Sequence, residues 1–188
     1  ACTEYQIPVF MDYKKSILFN AFVEYVRSVL SMVEQDFSYE SVFRFLRTGF
    51  TEFTRDEIDR LENYVVAVGL RGYKKWQAVW ARKTSSADEE ELAVLNGLRV
   101  RFVEMTESLV FVLKQRKKTV RDICEAVYRF FVENQIQEKL KVMENCFAEK
   151  KELALAKEYA QIYRIVLELF DKFAELLGDE GISLKEYC

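Results

Sequence analysis

Histidine is missing from all 188 residues, and the chain holds one proline, six glycines and two tryptophans. Each scarcity removes a class of function. Without an imidazole there is no Ser-His-Asp or Cys-His catalysis, no HExxH zinc site and no Glu-x-x-His di-iron site. So little proline and glycine excludes collagen-like chains, proline-rich linkers and most turn-rich all-β folds. Neither GxxxxGK[ST] nor GxGxxG occurs, so both glycine-rich phosphate cradles are absent, as is the Asp-rich calcium loop. No apolar run approaches the roughly 18–20 residues that span a bilayer, and the N-terminus has no basic region followed by an apolar one.

Cysteine is sparse and badly spaced for metal. Cys2, Cys124, Cys146 and Cys188 form no Cys-x-x-Cys pair, and with no histidine to complete a mixed site they read as free thiols in a reducing cytosol. The balance of 28 basic against 31 acidic residues leaves a net charge of -3. Nucleic-acid binding would therefore have to come from a local patch rather than from the whole surface. What remains is a chain 50% hydrophobic and 31% charged, long enough for one domain with a core of its own.

Periodicity predicts an all-α chain, an elongated bundle of about five or six helices. Residues 5–10 (YQIPVF) read as a short extended segment with no later strand to pair it, so its sheet is expected to lie outside this sequence. A helix is predicted over 15–35, with Leu18, Phe22, Tyr25, Val26, Val29 and Val33 on one face. Ser38 caps a short second helix. Thr54 and Glu57 form a capping box, in which each side chain satisfies an orphan backbone N–H, and Gly69 ends the helix they open. Residues 69–85 carry no acidic residue and read as a long loop. Ser86 and Glu89 suggest another box, opening a helix that runs to Lys118. Thr119 caps the next, which Asn134 ends. The last stripe, Leu140 to Leu177 with Phe173 among its members, is expected to be core, with a break between Asn145 and Lys151. Ser183 and Glu186 form a third box two residues before the chain ends. An unpaired strand at one end and a helix start at the other suggest an insertion cut from a larger protein.

No nucleophile has a base beside it, and the carboxylates fall on outward helix positions, so no catalytic, cofactor or metal-ligating residue is assigned. Gly69-Leu70-Arg71-Gly72 matches a KH-type GXXG, but that module needs strands around its helices, and two glycines at a helix stop explain the match. The candidate binding segment is Arg71, Tyr73, Lys74, Lys75, Trp76, Trp80, Arg82 and Lys83, five cations interleaved with three aromatics. Such a mixture suits a phosphate backbone with stacking on bases, or else the aromatics close the bundle and the cations are simply solvated. A second basic cluster, Lys114, Arg116, Lys117, Lys118 and Arg121, spans a helix junction and in part complements a helix C-terminus.

Three blocks carry a resemblance. IPVFMDYKKS at 7–16, VFRFLRTGF at 42–50 with DRLENYVVAVGLRGYKKW at 59–76, and GDEGISL at 178–184 together resemble AddB, the B subunits of bacterial ATP-dependent helicase–deoxyribonucleases that process double-strand breaks. The LENY…G…G…KW block is the most specific. The resemblance implies a helical insertion of the kind called subdomain 2B, with residues 1–12 as an exit strand and linker, 13–178 as the helical body and 179–188 as a return segment. It implies a non-catalytic role guiding duplex DNA through Arg71, Tyr73, Lys74, Lys75, Trp76, Arg82 and Lys83, or else bracing the parent protein against an AddA-type partner. ATP, magnesium and the iron–sulfur cluster would belong to other parts of the parent protein, and the setting would be cytoplasmic.

Overall fold

The computed structural model describes residues 19–84 and 87–187. Among them run α1 (Ala21–Glu34), α2 (Tyr39–Leu46), α3 (Arg55–Val68), α4 (Tyr73–Gln77), α5 (Glu89–Leu113), α6 (Val120–Glu133), α7 (Ile136–Glu149), α8 (Leu153–Leu177) and α9 (Leu184–Tyr187). The class is all-α, as the periodicity predicts. Seven helices have eight residues or more, and two very short ones, α4 and α9, bring the described total to nine rather than five or six. The extended segment expected at 5–10 lies outside the described residues.

Backbone chemistry explains the boundaries. Of the first helix, predicted from residue 15, residues 15–18 lie outside the described residues; α1 begins at Ala21, because Asn20 is extended and its side chain accepts the Phe22 N–H at 2.9 Å. The Thr54–Glu57 box forms as read, with Thr54 N donating to Glu57 Oε2 at 2.7 Å. Gly69 ends α3 in the left-handed region at φ 64°, where a Cβ would be strained. The start of α5 differs from expectation: Asp88 is the cap, its carboxylate accepting the Glu91 N–H at 2.9 Å, while Ser86 lies outside the described residues. That helix stops at Leu113, short of Lys118. The predicted C-terminal stripe resolves into an antiparallel hairpin of α7 and α8, turned at residues 150–152 with Lys151 at φ 61°.

Two aromatic groups share one core. Phe22, Tyr25, Phe45, Phe50, Phe130 and Phe131 knit α1 and α2 to α6, with Phe22 and Phe131 centroids 5.2 Å apart. Phe37, Tyr64, Tyr73, Trp76, Trp80 and Phe102 join α3 and α4 to α5. Cys124 is buried, its sulfur 3.3 Å from the Tyr187 hydroxyl, and burial pushes its thiol pKa up. Cys146 is a free thiol in an exposed position. The turn after α8 closes onto α6: Glu180 O accepts the Val120 N–H, and Gly178 O the Arg121 N–H, each at 3.1 Å.

The caps carry an acid dependence. Thr119 N–H and hydroxyl bonds hold the Asp122 carboxyl below its usual range, and Arg101 with Thr54 does the same for Glu57. A carboxyl whose folded pKa is depressed stabilises the fold at neutral pH and stops doing so as pH falls through that pKa. Acidification below about pH 4 is therefore expected to fray the first turns of α3 and α6. Thr119→Ala should cost about 1 kcal/mol at pH 7 and less at pH 3. Equal losses at both pH values in urea titrations would refute the capping account.

Candidate nucleic-acid interface

The segment read as a loop is a short helix and an extended return strapped along α5. Five residues are too few to hold a helix by propensity, so its contacts hold α4. Gly72 precedes it at φ 86°, where an added Cβ would meet the Asp36 carboxylate at 3.2 Å. Trp76 is fully buried between Trp80 (centroids 5.2 Å apart) and Phe102 (4.6 Å). Tyr73 lies against Phe37 at 4.6 Å. Trp80 stacks on Tyr64 at 5.0 Å and donates its indole N–H to Lys75 O at 3.0 Å.

Two residues of α5 complete the strap, and sequence reasoning missed both. Asn96 is a two-way clip: its Oδ1 accepts the Trp80 N–H at 2.9 Å and its Nδ2 donates to Trp80 O at 2.8 Å. Arg99, only 6% exposed, donates through Nη1 to Trp76 O at 2.8 Å and Gln77 O at 3.2 Å, and through Nε to Asn96 Oδ1 at 3.1 Å. Burial lowers the pKa of Arg99, yet an arginine stays charged so far above neutrality. The signal was present. Asn96 and Arg99 are polar residues three apart beside the stripe positions Leu95, Leu98 and Phe102.

The predicted site residues thus divide. Arg71, Lys74, Lys75, Arg82 and Lys83 are exposed, and only Lys83 has an ion pair among the described residues, with Glu89 at 3.1 Å. Tyr73, Trp76 and Trp80 are buried. This corrects the expectation that Tyr73 and Trp76 could stack on bases: their rings are core, and their work is to pin the cations in place. The structure also brings one member of the second basic cluster to the strap. Lys114, at the end of α5, sits 5.1 Å from the Tyr73 ring centroid and pairs with Asp36. Arg116 and Lys117 follow it, exposed, in the turn to α6. Lys118 donates to Gln115 O at 3.0 Å, and Arg121 pairs with Asp179 at 3.6 Å.

No helix among the described residues is long and apolar enough to cross a membrane, and among them no three Cys, Asp or Glu side chains gather as metal ligands. Fold and surface define a helical module whose most distinctive feature is an ordered cationic strip. No family model matches the chain. Its relatives are specific nonetheless: it is 42% identical over 184 residues to the B subunit of the ATP-dependent helicase/deoxyribonuclease of Lachnoclostridium phytofermentans, covering 96% of this chain and 16% of that protein. It is 37% identical to the protein of the same name from Clostridium novyi, over 98% of this chain and 16% of the relative. With that of Clostridium acetobutylicum the identity is 35%, over 98% of this chain and 17% of the relative. The chain is a relative of these helicase/deoxyribonuclease B subunits along nearly its whole length, and it spans about one sixth of the curated relatives it matches.

Proposed function

We propose that this chain is the helical, 2B-like subdomain of the B subunit of an ATP-dependent helicase/deoxyribonuclease, and that it guides duplex DNA without taking part in bond breaking. The supporting observation is the strip: five exposed cations on a segment whose own aromatics are locked into the core. A motor must let duplex slide past whatever its sequence, which favours phosphate contacts over base readout. Arg71, Lys74, Lys75, Arg82 and Lys83 supply such contacts, and Lys114, Arg116 and Lys117 extend them toward α6. ATP, magnesium and iron–sulfur chemistry belong to the rest of the parent protein, an AddA-type protein would be its partner, and the complex would work in the cytoplasm. The purified chain should therefore neither hydrolyse ATP nor cut DNA.

Affinity alone does not test this, because the net charge of -3 repels DNA from the remaining surface. The isolated chain should bind at about 10⁻⁴ M or weaker at physiological salt. The salt slope is the sharper readout. Five engaged cations give log K against log salt a slope of about -4.5, and Lys74→Ala/Lys75→Ala should reduce its magnitude by roughly 2. Fluorescence anisotropy of a labelled duplex across a low-salt range measures it. If the double variant leaves both affinity and slope unchanged, the strip merely closes the bundle. The reading as a bracing module would then take over.

A further inference from the structure

Of the α8 stripe expected to be core, Ile162, Val166 and Phe170 are buried, but Phe173 and Leu177 at its end are not. Beside that stripe, Ile165 and Leu169 are 39% and 46% exposed, and Phe173 is 38% exposed. With Val23 and Leu30 of α1 they line a groove of about 430 Å³ bordered by Tyr187, whose ring meets Phe173 edge-on at 6.3 Å. Leu176 and Leu177 continue the apolar surface past it. Contiguous apolar surface of this kind on a folded domain marks an interface.

The groove itself says something about its occupant. Arg27 is the one charged residue among those lining it, and no carboxylate of the described residues lies in ion-pair reach of it. A second copy docked there by two-fold symmetry would bring another Arg27 and no acidic partner into a desolvated contact. Tyr187, the last described residue, borders the groove. In the relatives, about five sixths of the polypeptide lies outside the matched stretch. In a longer parent protein, polypeptide following Tyr187 would be tethered beside the groove, at an effective concentration of order millimolar for a short linker.

We propose that the α1–α8 groove is the seat of polypeptide from the remainder of the same parent protein, an apolar segment bearing a carboxylate that meets Arg27. This rests on the reading of the chain as part of a longer protein, and it is independent of the cationic strip. The test places a photo-crosslinking phenylalanine analogue at Leu169 in the full-length protein and maps the product by mass spectrometry. The expected product joins Leu169 to a peptide of the same polypeptide outside these 188 residues. A crosslink to residues 1–18, to a second copy or to another protein overturns the proposal, as does no crosslink at all. Intact mass separates the two ideas: a natural polypeptide ending with these 188 residues sinks the longer-protein reading itself. A companion variant, Leu169→Lys, changes a side chain that is already part-exposed and should leave the circular dichroism of the 188-residue chain unchanged. In the full-length protein it should speed proteolysis at this domain by about tenfold or more, since the open population rises when the seat is lost. Unchanged proteolysis counts against the groove.

Discussion

Trp76→Ala is expected to remove about 3–5 kcal/mol of stability, the range for emptying a fully buried large aromatic site. The ring has no exposed edge, and its neighbours Trp80 and Phe102 sit on elements that cannot both move into the gap. A domain of ordinary stability has about 5–15 kcal/mol in all, so the variant should be close to unfolding at moderate temperature. Trp76→Phe should be much milder. It keeps most of the apolar contact and also removes the indole N–H, which is buried without a hydrogen-bond partner. Lys74→Ala and Lys75→Ala should each shift stability by less than about 0.5 kcal/mol. Urea unfolding followed by circular dichroism measures all four. A Trp76→Ala chain as stable as its parent would mean that the strap is not held by its aromatics, and the ordered strip would lose its physical basis.

The contrast between those variants also marks what could be read in the sequence. Composition identified the cations, because a run of 17 residues without one acidic side chain stands out in a chain of otherwise balanced charge. The burial of the aromatics was not legible as more than an alternative. Tyr73, Trp76 and Trp80 are spaced three and four apart, which is the spacing of one helix face, but a five-residue helix flanked by glycine and an extended alanine has no periodicity of useful length. Caps were legible wherever the bond is local, as at Thr54 and Glu57. The start of α5 was misplaced because Ser86 and Asp88 both offer a capping oxygen, and only the folded chain chooses. The α7–α8 turn left a small trace, since the apolar stripe keeps its phase across the reversal and one lysine in a left-handed turn is the whole interruption. The meeting of Lys114 with Tyr73 joins positions 41 residues apart and leaves no local mark. The exposed end of α8, Phe173 and Leu177, looked like core for a plain reason: the period of an apolar stripe does not say how much of it is covered.

Arg99 gives the second large effect, and it separates holding the strip from touching DNA. Its Nη1 ends α4 by taking the carbonyls of Trp76 and Gln77, neither of which has another protein donor among the described residues. Arg99→Ala should cost about 3 kcal/mol, because it leaves the buried Trp76 carbonyl unpaired and removes the packed stem of the side chain. Arg99→Lys should lose less: one ammonium can take the carbonyls that Nη1 takes, but it has no second nitrogen to hold Asn96 Oδ1 as Nε does. Both tryptophans of the chain lie in the strap, so their emission reports this region alone. It should shift to the red in Arg99→Lys under conditions where circular dichroism still shows a folded chain. Arg99 is buried and cannot meet a phosphate itself. Arg99→Lys should therefore weaken DNA binding by loosening the cations while leaving the salt slope near its parent value, whereas Lys74→Ala/Lys75→Ala lowers the slope and leaves the tryptophan emission alone. A fall in slope for Arg99→Lys equal to that of the double lysine variant would show that the strip does not act as a rigid unit, and that phosphate contact and strap geometry cannot be assigned to different residues.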